Sequence, residues 1–171
     1  MTNKSLLKQL KKANIVVRKN VVLRAGEKSD FYVDVKKVYG NPKLLNEIGR
    51  AIAKDINKET TCLATSGYGG IPLATVISQI TGLPLSLVRG DEKNHGRGGL
   101  IDGYIPNEQD IVAVIDDVYT TGSSLRQTIK IISKMNATIT RCHVVVARNN
   151  TDNFQIPVSL LFKSDDLIKF Q

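Results

Sequence analysis

Two adjacent carboxylates, Asp116 and Asp117, directly follow a five-residue apolar run in the segment IVAVIDDVYTTGSSLRQTI, residues 111–129. The run is typical of a buried strand, so the pair is predicted at the end of that strand. The next residues form a hydroxyl-rich turn that leads into a helical pattern. Hydroxyl groups and the free N–H groups at a helix start bind phosphate. Carboxylates repel phosphate, but they accept hydrogen bonds from sugar hydroxyls or bind a hydrated magnesium ion.

The segment therefore predicts a phosphate site beside a carboxylate pair, for a ligand that carries both kinds of group. Gly122 permits a tight turn, and the predicted phosphate donors are Thr120, Thr121, Ser123 and Ser124. Taken alone, the same residues are equally compatible with an ordinary strand–turn–helix junction. In that case Asp117 is solvated and a Ser or Thr caps the helix.

Two further segments contain closely spaced glycines. The first, TSGYGGIPLAT at 65–75, has three glycines within residues 67–70. It predicts either a nest of backbone N–H groups that binds an anion or simply a flexible turn. The second, RGDEKNHGRGGLIDGYIPN at 89–107, holds five glycines and has no apolar period. A loop of that length inside a compact domain is usually functional or disordered, although LIDGYI has the composition of a short extended piece.

Short apolar runs alternate with helical patterns from residue 61 onward. The runs are TCLAT (61–65), LPLSLV (83–88), IVAVI (111–115), CHVVVA (142–147) and VSLLF (158–162). Such an order predicts an α/β fold with a mainly parallel central sheet of about five strands, flanked by helices. Residues 1–40 differ, because they predict an amphipathic helix at 4–13 and a hairpin-like unit at 21–35. We expect a single domain, 1–171, with 1–40 as a small N-terminal hood.

The composition argues against several classes of protein. No apolar stretch of the 171 residues approaches the roughly 18 that a membrane-spanning helix needs. The N-terminus lacks the pattern of a signal peptide, so a cytoplasmic location is expected. Cys62 and Cys142 lie far apart in strand-like surroundings and predict two buried thiols rather than a disulfide framework or a zinc site. His143, within CHVVVA, is interpreted as a structural strand residue.

The net charge of +8 suits a polyanionic partner. The basic residues are spread along the chain in short doublets such as Lys11–Lys12 and Lys36–Lys37, and aromatic residues make up only 5% of the sequence. Little is therefore available for base stacking. The charge favours phosphorylated small molecules over nucleic acid, though only weakly.

The apolar strand, the two acids, VYTTG and the hydroxylated helix start together resemble the signature of type I phosphoribosyltransferases, which use phosphoribosyl pyrophosphate (PRPP). Other segments resemble the orotate phosphoribosyltransferases within that family: VLRAGEKSDFYVDVK (22–36), TSGYGGIPLAT (65–75), VRGDEKNHGRGG (88–99) and VVVARNN (144–150). The motifs occur in family order over roughly residues 20–150. The resemblance implies a type I phosphoribosyltransferase-like fold.

The resemblance also implies how PRPP is bound. Asp116 and Asp117 are expected to hold the ribose hydroxyls, and the turn that follows them is expected to hold the 5′-phosphate. The glycine-rich loop is expected to hold the pyrophosphate. The implied PRPP-binding residues are Asp116, Asp117, Thr120, Thr121, Gly122, Ser123, Ser124, Tyr68, Gly69 and Gly70.

Catalytic and base-contacting residues follow from the same resemblance. Arg89, Lys93 and His95 are implied as the catalytic set, because a cation can close over the departing pyrophosphate. Orotate is expected to contact Arg24, Tyr32, Val33, Thr120 and Arg148. The guanidinium of Arg148 is the group that the carboxylate of orotate requires.

A cofactor and a quaternary state are implied as well. Mg²⁺ is expected to be held mainly through PRPP and water, and a direct bond to Asp116 or Asp117 is left open. A homodimer is expected in which the loop 89–99 reaches the active site of the neighbouring subunit. The implied reaction converts orotate and PRPP into orotidine 5′-monophosphate and pyrophosphate, a step of pyrimidine biosynthesis.

The sequence departs from the family pattern at several positions. Arg24 stands where Lys is common, and Ala25 replaces a Ser. Gly90 replaces a basic residue, and Gly69 stands where many members carry Lys, so positive charge near the pyrophosphate is reduced. Two alternatives therefore stay open: transfer to another base, as in purine or uracil salvage, and a PRPP-sensing regulator that binds nucleic acid.

Overall fold

The computed structural model describes residues 3–22, 28–90 and 99–168 of the chain. The strands are β1 (Val16–Val22), β2 (Lys28–Val33), β3 (Cys62–Ser66), β4 (Leu85–Val88), β5 (Ile101–Gly103), β6 (Ile111–Tyr119), β7 (Thr138–Ala147) and β8 (Val158–Lys163). The α-helices are α1 (Asn3–Lys12), α2 (Pro42–Ala53), α3 (Gly67–Thr81), α4 (Ser123–Ile132) and α5 (Ser164–Ile168). Two 3₁₀ helices span Val35–Gly40 and Ser133–Met135.

The central sheet has six strands in the order β5-β4-β3-β6-β7-β8. Every pairing is parallel except that of β4 with the short edge strand β5. The prediction of a mainly parallel sheet of about five strands is confirmed, and β5 adds the sixth. Parallel neighbours require crossover connections, which α3 provides after β3 and α4 provides after β6.

Helices cover both faces of the sheet because each buried strand is apolar on both sides. On β6, Ala113 and Ile115 belong to one core cluster, together with apolar residues of α1, α2 and α3. Val112 and Val114 belong to a second cluster, which includes residues of α4. Consecutive strand residues thus serve opposite cores. Within the described ranges, no helix is both long enough and apolar enough to span a membrane.

The N-terminal hairpin begins earlier in the chain than the sequence predicts. β1 pairs antiparallel with β2, and the register starts at Val16 opposite Val33. The predicted hairpin at 21–35 missed the first residues of β1, where valines continue the extended run immediately after the turn that ends α1. After β2, the 3₁₀ helix Val35–Gly40 buries Val35 and Val38 in the core and leads to α2.

Helix α3 approaches the sheet closely at Gly70. A Cβ atom added there would lie 3.0 Å from the carbonyl oxygen of Ile115 and closer still to Oγ1 of Thr65. The Thr65 hydroxyl itself donates to that carbonyl, at 2.8 Å. The first turn of α3 can therefore rest on β3 and β6 only because Gly70 has no side chain.

Gly70→Ala is expected to lower the free energy of unfolding by about 1–3 kcal/mol, since the added methyl group must push α3 away from the sheet. The matched control is Gly40→Ala, because a Cβ atom at Gly40 has no neighbour within 4 Å. Urea denaturation of both variants measures the difference. Equal stability of the two variants would show that the close approach carries no energetic cost.

Candidate active site

The two acids lie inside β6 rather than after it. The strand continues to Tyr119, and Asp116, Val118 and Tyr119 pair with Val144, Val146 and Ala147 of β7. The sequence predicted the pair at the end of the strand, and the structure extends the strand two residues past Asp117, because the partner strand β7 continues past the acids. On the other side, β3 pairs with β6 only as far as Ile115. The acids therefore stand where β6 has lost one of its neighbours.

This position is the switch point of the sheet. After β3 the chain turns into α3, which packs in the first core cluster. After β6 it turns into α4, which packs in the second cluster on the opposite face. The two connections leave the sheet in opposite directions and open a crevice between them. Ligands of open α/β sheets bind in such a crevice at the carboxyl ends of the strands.

Asp116 is deeply buried, with 7% of its surface exposed. Its Oδ1 accepts a hydrogen bond from the backbone N–H of Asp117 at 2.9 Å, and Oδ1 of Asp117 accepts one from Val118 at 2.9 Å. Burial raises the pKa of Asp116 well above its ordinary value, and the neighbouring charge of Asp117 raises it further. The hydrogen bonds and charges of the protein therefore do not fully offset the free-energy cost of burying the ionised carboxylate of Asp116.

Gly69 lies against the carboxylate of Asp117. A Cβ atom at Gly69 would come within 2.6 Å of Oδ2 of Asp117, so no side chain fits unless the carboxylate moves. The hydroxyl of Tyr39 donates to the Gly69 carbonyl. Burial raises the pKa of Tyr39 above its ordinary value, and the charges of Asp117 and Asp116 add to this effect. The Tyr39 hydroxyl therefore stays protonated and acts as a donor.

The glycine-rich segment is helical from Gly67 onward, so the turn predicted at 67–70 is instead the first turn of the helix that follows. Helix α3 begins at Gly67, which places Tyr68, Gly69 and Gly70 in its first turn. Packing against the sheet outweighs the poor helix propensity of glycine. The capping residue Ser66 makes no side-chain hydrogen bond to the first turn. Tyr68 is 91% exposed. The start of α3 thus lies against Asp117 and has no side-chain cap, although Tyr68, Gly69 and Gly70 do not line the cleft described below.

The hydroxyl-rich turn has the predicted form. Gly122 adopts a left-handed conformation with φ of 77° and precedes α4, and it has no side chain with which to cap the helix. A Cβ atom there would lie 2.6 Å from the ring of Phe154 and 2.8 Å from that of Tyr119. Glycine is therefore required both by the conformation and by the packing. The guanidinium of Arg126 donates to the carbonyl of Thr121 and supports the turn.

A cleft of about 220 Å³ joins these features. It brings together the acid pair, the turn and three of the predicted base-contacting residues that lie elsewhere in the chain. Its lining residues are Tyr32, Val33, Lys36, Asp116, Asp117, Val118, Thr120, Thr121, Gly122, Ser123, Ser124, Leu125 and Arg148. Segments far apart in sequence thus converge on one cleft.

Arg148 follows β7, and its backbone N–H donates to the carbonyl of Tyr119 at 2.8 Å. Its guanidinium lies over the ring of Phe31, 4.5 Å from the ring centre. This contact orients the planar group within the cleft. Arg148 was predicted from the sequence as a site residue, whereas Phe31 was not. The adjacent aromatic residues of FYVD could have indicated a ring near the base site.

Of the predicted catalytic residues, Arg89 alone lies within the described ranges, and it does not line this cleft. The guanidinium of Arg89 forms an ion pair with Asp102 of β5. Gly90 approaches α4, where its carbonyl accepts from the Gln127 amide at 3.2 Å. Lys93, His95 and Arg24 lie outside the described residues.

Lys36 lines the cleft and was missed as a site residue. Its Nζ lies 3.0 Å from Oδ1 of Asp34 and 3.3 Å from the hydroxyl of Tyr32. The sequence signal was the spacing of Asp34 and Lys36, two residues apart at the end of the predicted hairpin, since residues i and i+2 of an extended segment share a face. From the sequence, this lysine was noted only as part of a basic doublet.

The donor set suits one kind of metal site. Across the described ranges, no group of three or more His, Cys, Asp or Glu side chains could hold a metal ion. Mg²⁺ is commonly bound by one or two carboxylates together with water and the phosphates of a substrate. Asp116 and Asp117 fit that pattern because they offer unneutralised oxygens at the edge of the cleft.

The remaining candidate residues are structural. Burial lowers the pKa of His143 to about 4, and its Nδ1 lies 3.4 Å from Oδ2 of Asp55. Burial likewise raises the pKa of Cys62 to about 11 and that of Cys142 to about 12. Both thiols are free and buried, as the sequence predicts.

Asp116→Asn is expected to stabilise the ligand-free protein at neutral pH. An acid whose folded-state pKa is raised contributes its full stability only below its unfolded pKa and loses it as the pH rises through the folded value. The neutral amide removes that loss. We expect an increase of about 0.5–2 kcal/mol in the free energy of unfolding, measured by thermal and urea denaturation.

Asp110→Asn is the matched control and should have the opposite sign. Asp110 is also buried, but it accepts hydrogen bonds from Thr61 at 2.6 Å, Asn107 at 2.8 Å and Tyr104 at 2.9 Å. Burial raises its pKa, yet these bonds outweigh burial and hold the pKa below its ordinary value. Destabilisation by both substitutions would contradict the account of Asp116.

Comparison with known proteins agrees with this geometry. A family model described as the phosphoribosyl transferase domain matches residues 34–156. The orotate phosphoribosyltransferase of Methanothermobacter thermautotrophicus is 34% identical over 145 residues, which cover 85% of this chain and 79% of that protein. The enzyme of the same name from Pyrococcus horikoshii is 34% identical over 164 residues, which cover 88% of each.

Among solved structures, the Mycobacterium tuberculosis orotate phosphoribosyltransferase in complex with PRPP superposes with a TM-score of 0.75 at 20% identity. The match covers 96% of this chain and 98% of that one, and it shows that the fold is shared. From these matches and the sequence identities above, the chain belongs to the phosphoribosyltransferase family and, within it, to the orotate phosphoribosyltransferases.

Proposed function

We propose that this protein transfers the phosphoribosyl group of PRPP to orotate, giving orotidine 5′-monophosphate and pyrophosphate in pyrimidine biosynthesis. One observation carries the proposal: a single cleft contains a carboxylate pair with one buried member, a hydroxyl-rich turn at a helix start and a stacked guanidinium. Each of these groups matches one chemical part of the two substrates. The sequence relatives named above carry the same activity in their names.

PRPP is bound by the acids and by the two helix starts. The 5′-phosphate accepts hydrogen bonds from the turn 120–124, where N–H groups and hydroxyls converge. The ribose hydroxyls donate to Asp116 and Asp117, which supplies the compensation that Asp116 lacks in the ligand-free protein. The pyrophosphate extends toward the start of α3, where Tyr68, Gly69 and Gly70 offer backbone N–H groups.

Orotate occupies the end of the cleft that Arg148 lines. Its carboxylate pairs with the guanidinium, which Phe31 holds in orientation from behind. Tyr32, Val33 and Thr120 also line the cleft. Arg24, which lies outside the described residues, is the remaining residue proposed to contact orotate. The negative charges of Asp116 and Asp117 repel the negatively charged orotate, which keeps the base away from these acids.

Catalysis rests on positioning and on charge stabilisation. As the bond between ribose C1 and pyrophosphate breaks, positive charge develops on the ribose and negative charge on the leaving group. The ionised acids lie beside the ribose, where they favour the positive charge. Mg²⁺, when bound, offsets negative charge on the pyrophosphate. Lys93 and His95 are proposed to act on the leaving group, and Arg89 must exchange Asp102 for pyrophosphate to join them.

The assembly and location also belong to the proposal. We propose a homodimer in which the loop 89–99 serves the neighbouring active site, in a cytoplasmic enzyme. The open alternatives have less support. The sequence relatives named above act on orotate, not on a purine or uracil, and Arg148 suits a carboxylate-bearing base.

A panel of orotate, uracil, adenine, guanine and hypoxanthine, assayed with PRPP and Mg²⁺ for pyrophosphate release, should give turnover with orotate. Arg148→Ala should then raise the KM for orotate far more than that for PRPP, by about 2–5 kcal/mol in binding energy. Arg141→Ala is the control, since Arg141 lies at the other end of β7 and donates to Ser159 at 2.9 Å. An unchanged KM for orotate in Arg148→Ala would remove Arg148 from the base site.

Mixing two inactive variants tests the shared site. Lys93→Ala should be inactive, and so should the double variant Asp116→Asn with Asp117→Asn. After subunit exchange, each heterodimer should hold one site with both defects and one with neither. We expect recovery toward half of the wild-type activity per heterodimer. Absence of recovery, with exchange verified by mass spectrometry, would show that Lys93 serves its own chain.

A further inference from the structure

Lys36 lines the cleft, but the proposed reaction assigns it no role. It lies in the 3₁₀ helix Val35–Gly40, immediately after the hairpin, and its side chain is 41% exposed. Its ammonium group contacts Asp34 and the Tyr32 hydroxyl, and it lies 5.6 Å from the centre of the Tyr32 ring. The lysine is therefore held in place while part of it remains accessible to a ligand.

The cleft wall is short of positive charge on the side of the acids. Among the described residues that line the cleft, Lys36 and Arg148 are the cations. Arg148 is stacked on Phe31 at the base end. Burial lowers the pKa of Lys36, but the contacts with Asp34 and Tyr32 and the charge of Asp117 outweigh burial and raise it. Lys36 thus carries a full charge near Asp117.

The neighbouring helix α3 supplies no second cation there, because it contains no basic residue. Position 69 is a glycine that lies against the Asp117 carboxylate and offers only its backbone. An ammonium group has three N–H donors. Two of those on Lys36 face Asp34 and Tyr32, which leaves one for a ligand in the cleft beside Asp117.

We infer that Lys36 is a substrate-binding residue that contacts the pyrophosphate of PRPP beside Asp117 and supplies the charge that position 69 cannot. This inference rests on the proposed function. It explains how a site that carries Gly69 retains a side-chain cation near the leaving group. A purely structural Lys36, which only joins Asp34 to Tyr32, would instead affect the hairpin that forms the base end of the cleft.

Three variants separate these roles. Lys36→Met keeps the apolar stem and removes the charge, whereas Lys36→Arg keeps the charge. Lys37→Met is the matched control, because Lys37 is exposed and donates to the carbonyl of Asn14 at 2.7 Å. Calorimetry with magnesium pyrophosphate measures the binding, and steady-state kinetics give the KM of each substrate.

Lys36→Met is expected to weaken pyrophosphate binding and to raise the KM for PRPP by about 10- to 100-fold, the effect of losing one charged hydrogen bond. The KM for orotate should stay near that of the wild type. Lys36→Arg should restore most of the binding, and Lys37→Met should match the wild type. Lys36→Gln repeats the test if Lys36→Met does not fold.

Pyrophosphate binding by Lys36→Met as tight as that by Lys37→Met would overturn the inference. A rise in the KM for orotate equal to that for PRPP would do the same, as would failure of both neutral variants to fold. The proposed function stands or falls separately. A wild-type protein that binds neither PRPP nor pyrophosphate would refute the function, whereas a working enzyme with an indifferent Lys36 would refute only the inference.

Discussion

The burial of Asp116 beside Asp117 is the constraint on which the rest of the site depends. Two carboxylates in one strand repel each other, and burial deprives the first of water. The protein offers limited compensation through backbone N–H groups and the charge of Lys36. A ligand with hydroxyl donors completes it. In the proposed function, the unfavourable arrangement in the free protein becomes binding energy when the ribose hydroxyls of PRPP donate to the acids.

The surrounding elements follow from that constraint. β6 must extend beyond its pairing with β3, so that the acids lie at a crevice while β6 remains paired with β7. The start of α3 lies against Asp117 at Gly69 and against Thr65 and Ile115 at Gly70, so a Cβ atom at either position would require a neighbour to move. The start of α4 must leave its N–H groups open, which the left-handed Gly122 permits. The buried acids and the close contacts around them lower local stability, and the same arrangement preorganises the site.

The features that local sequence patterns encode were predicted correctly. Apolar runs identified the parallel strands, and the order of acids, hydroxyls and glycine identified the turn. Prediction from the sequence failed where tertiary contacts decide. Asp116 and Asp117 break the apolar run, yet pairing with β7 keeps them in the strand. The glycines at 67–70 suggested a loop, but packing makes them helical. Phe31 and Tyr39 act through contacts with residues far along the chain, Arg148 and Gly69, which no local period reveals.

The most direct test is a crystal structure of the protein with PRPP and Mg²⁺. The account predicts that both ribose hydroxyls lie within about 2.5–3.0 Å of the carboxylates of Asp116 and Asp117. It also predicts that the 5′-phosphate lies on the N–H groups of the turn 120–124. A ribose turned away from β6, with the acids facing only solvent, would contradict the account.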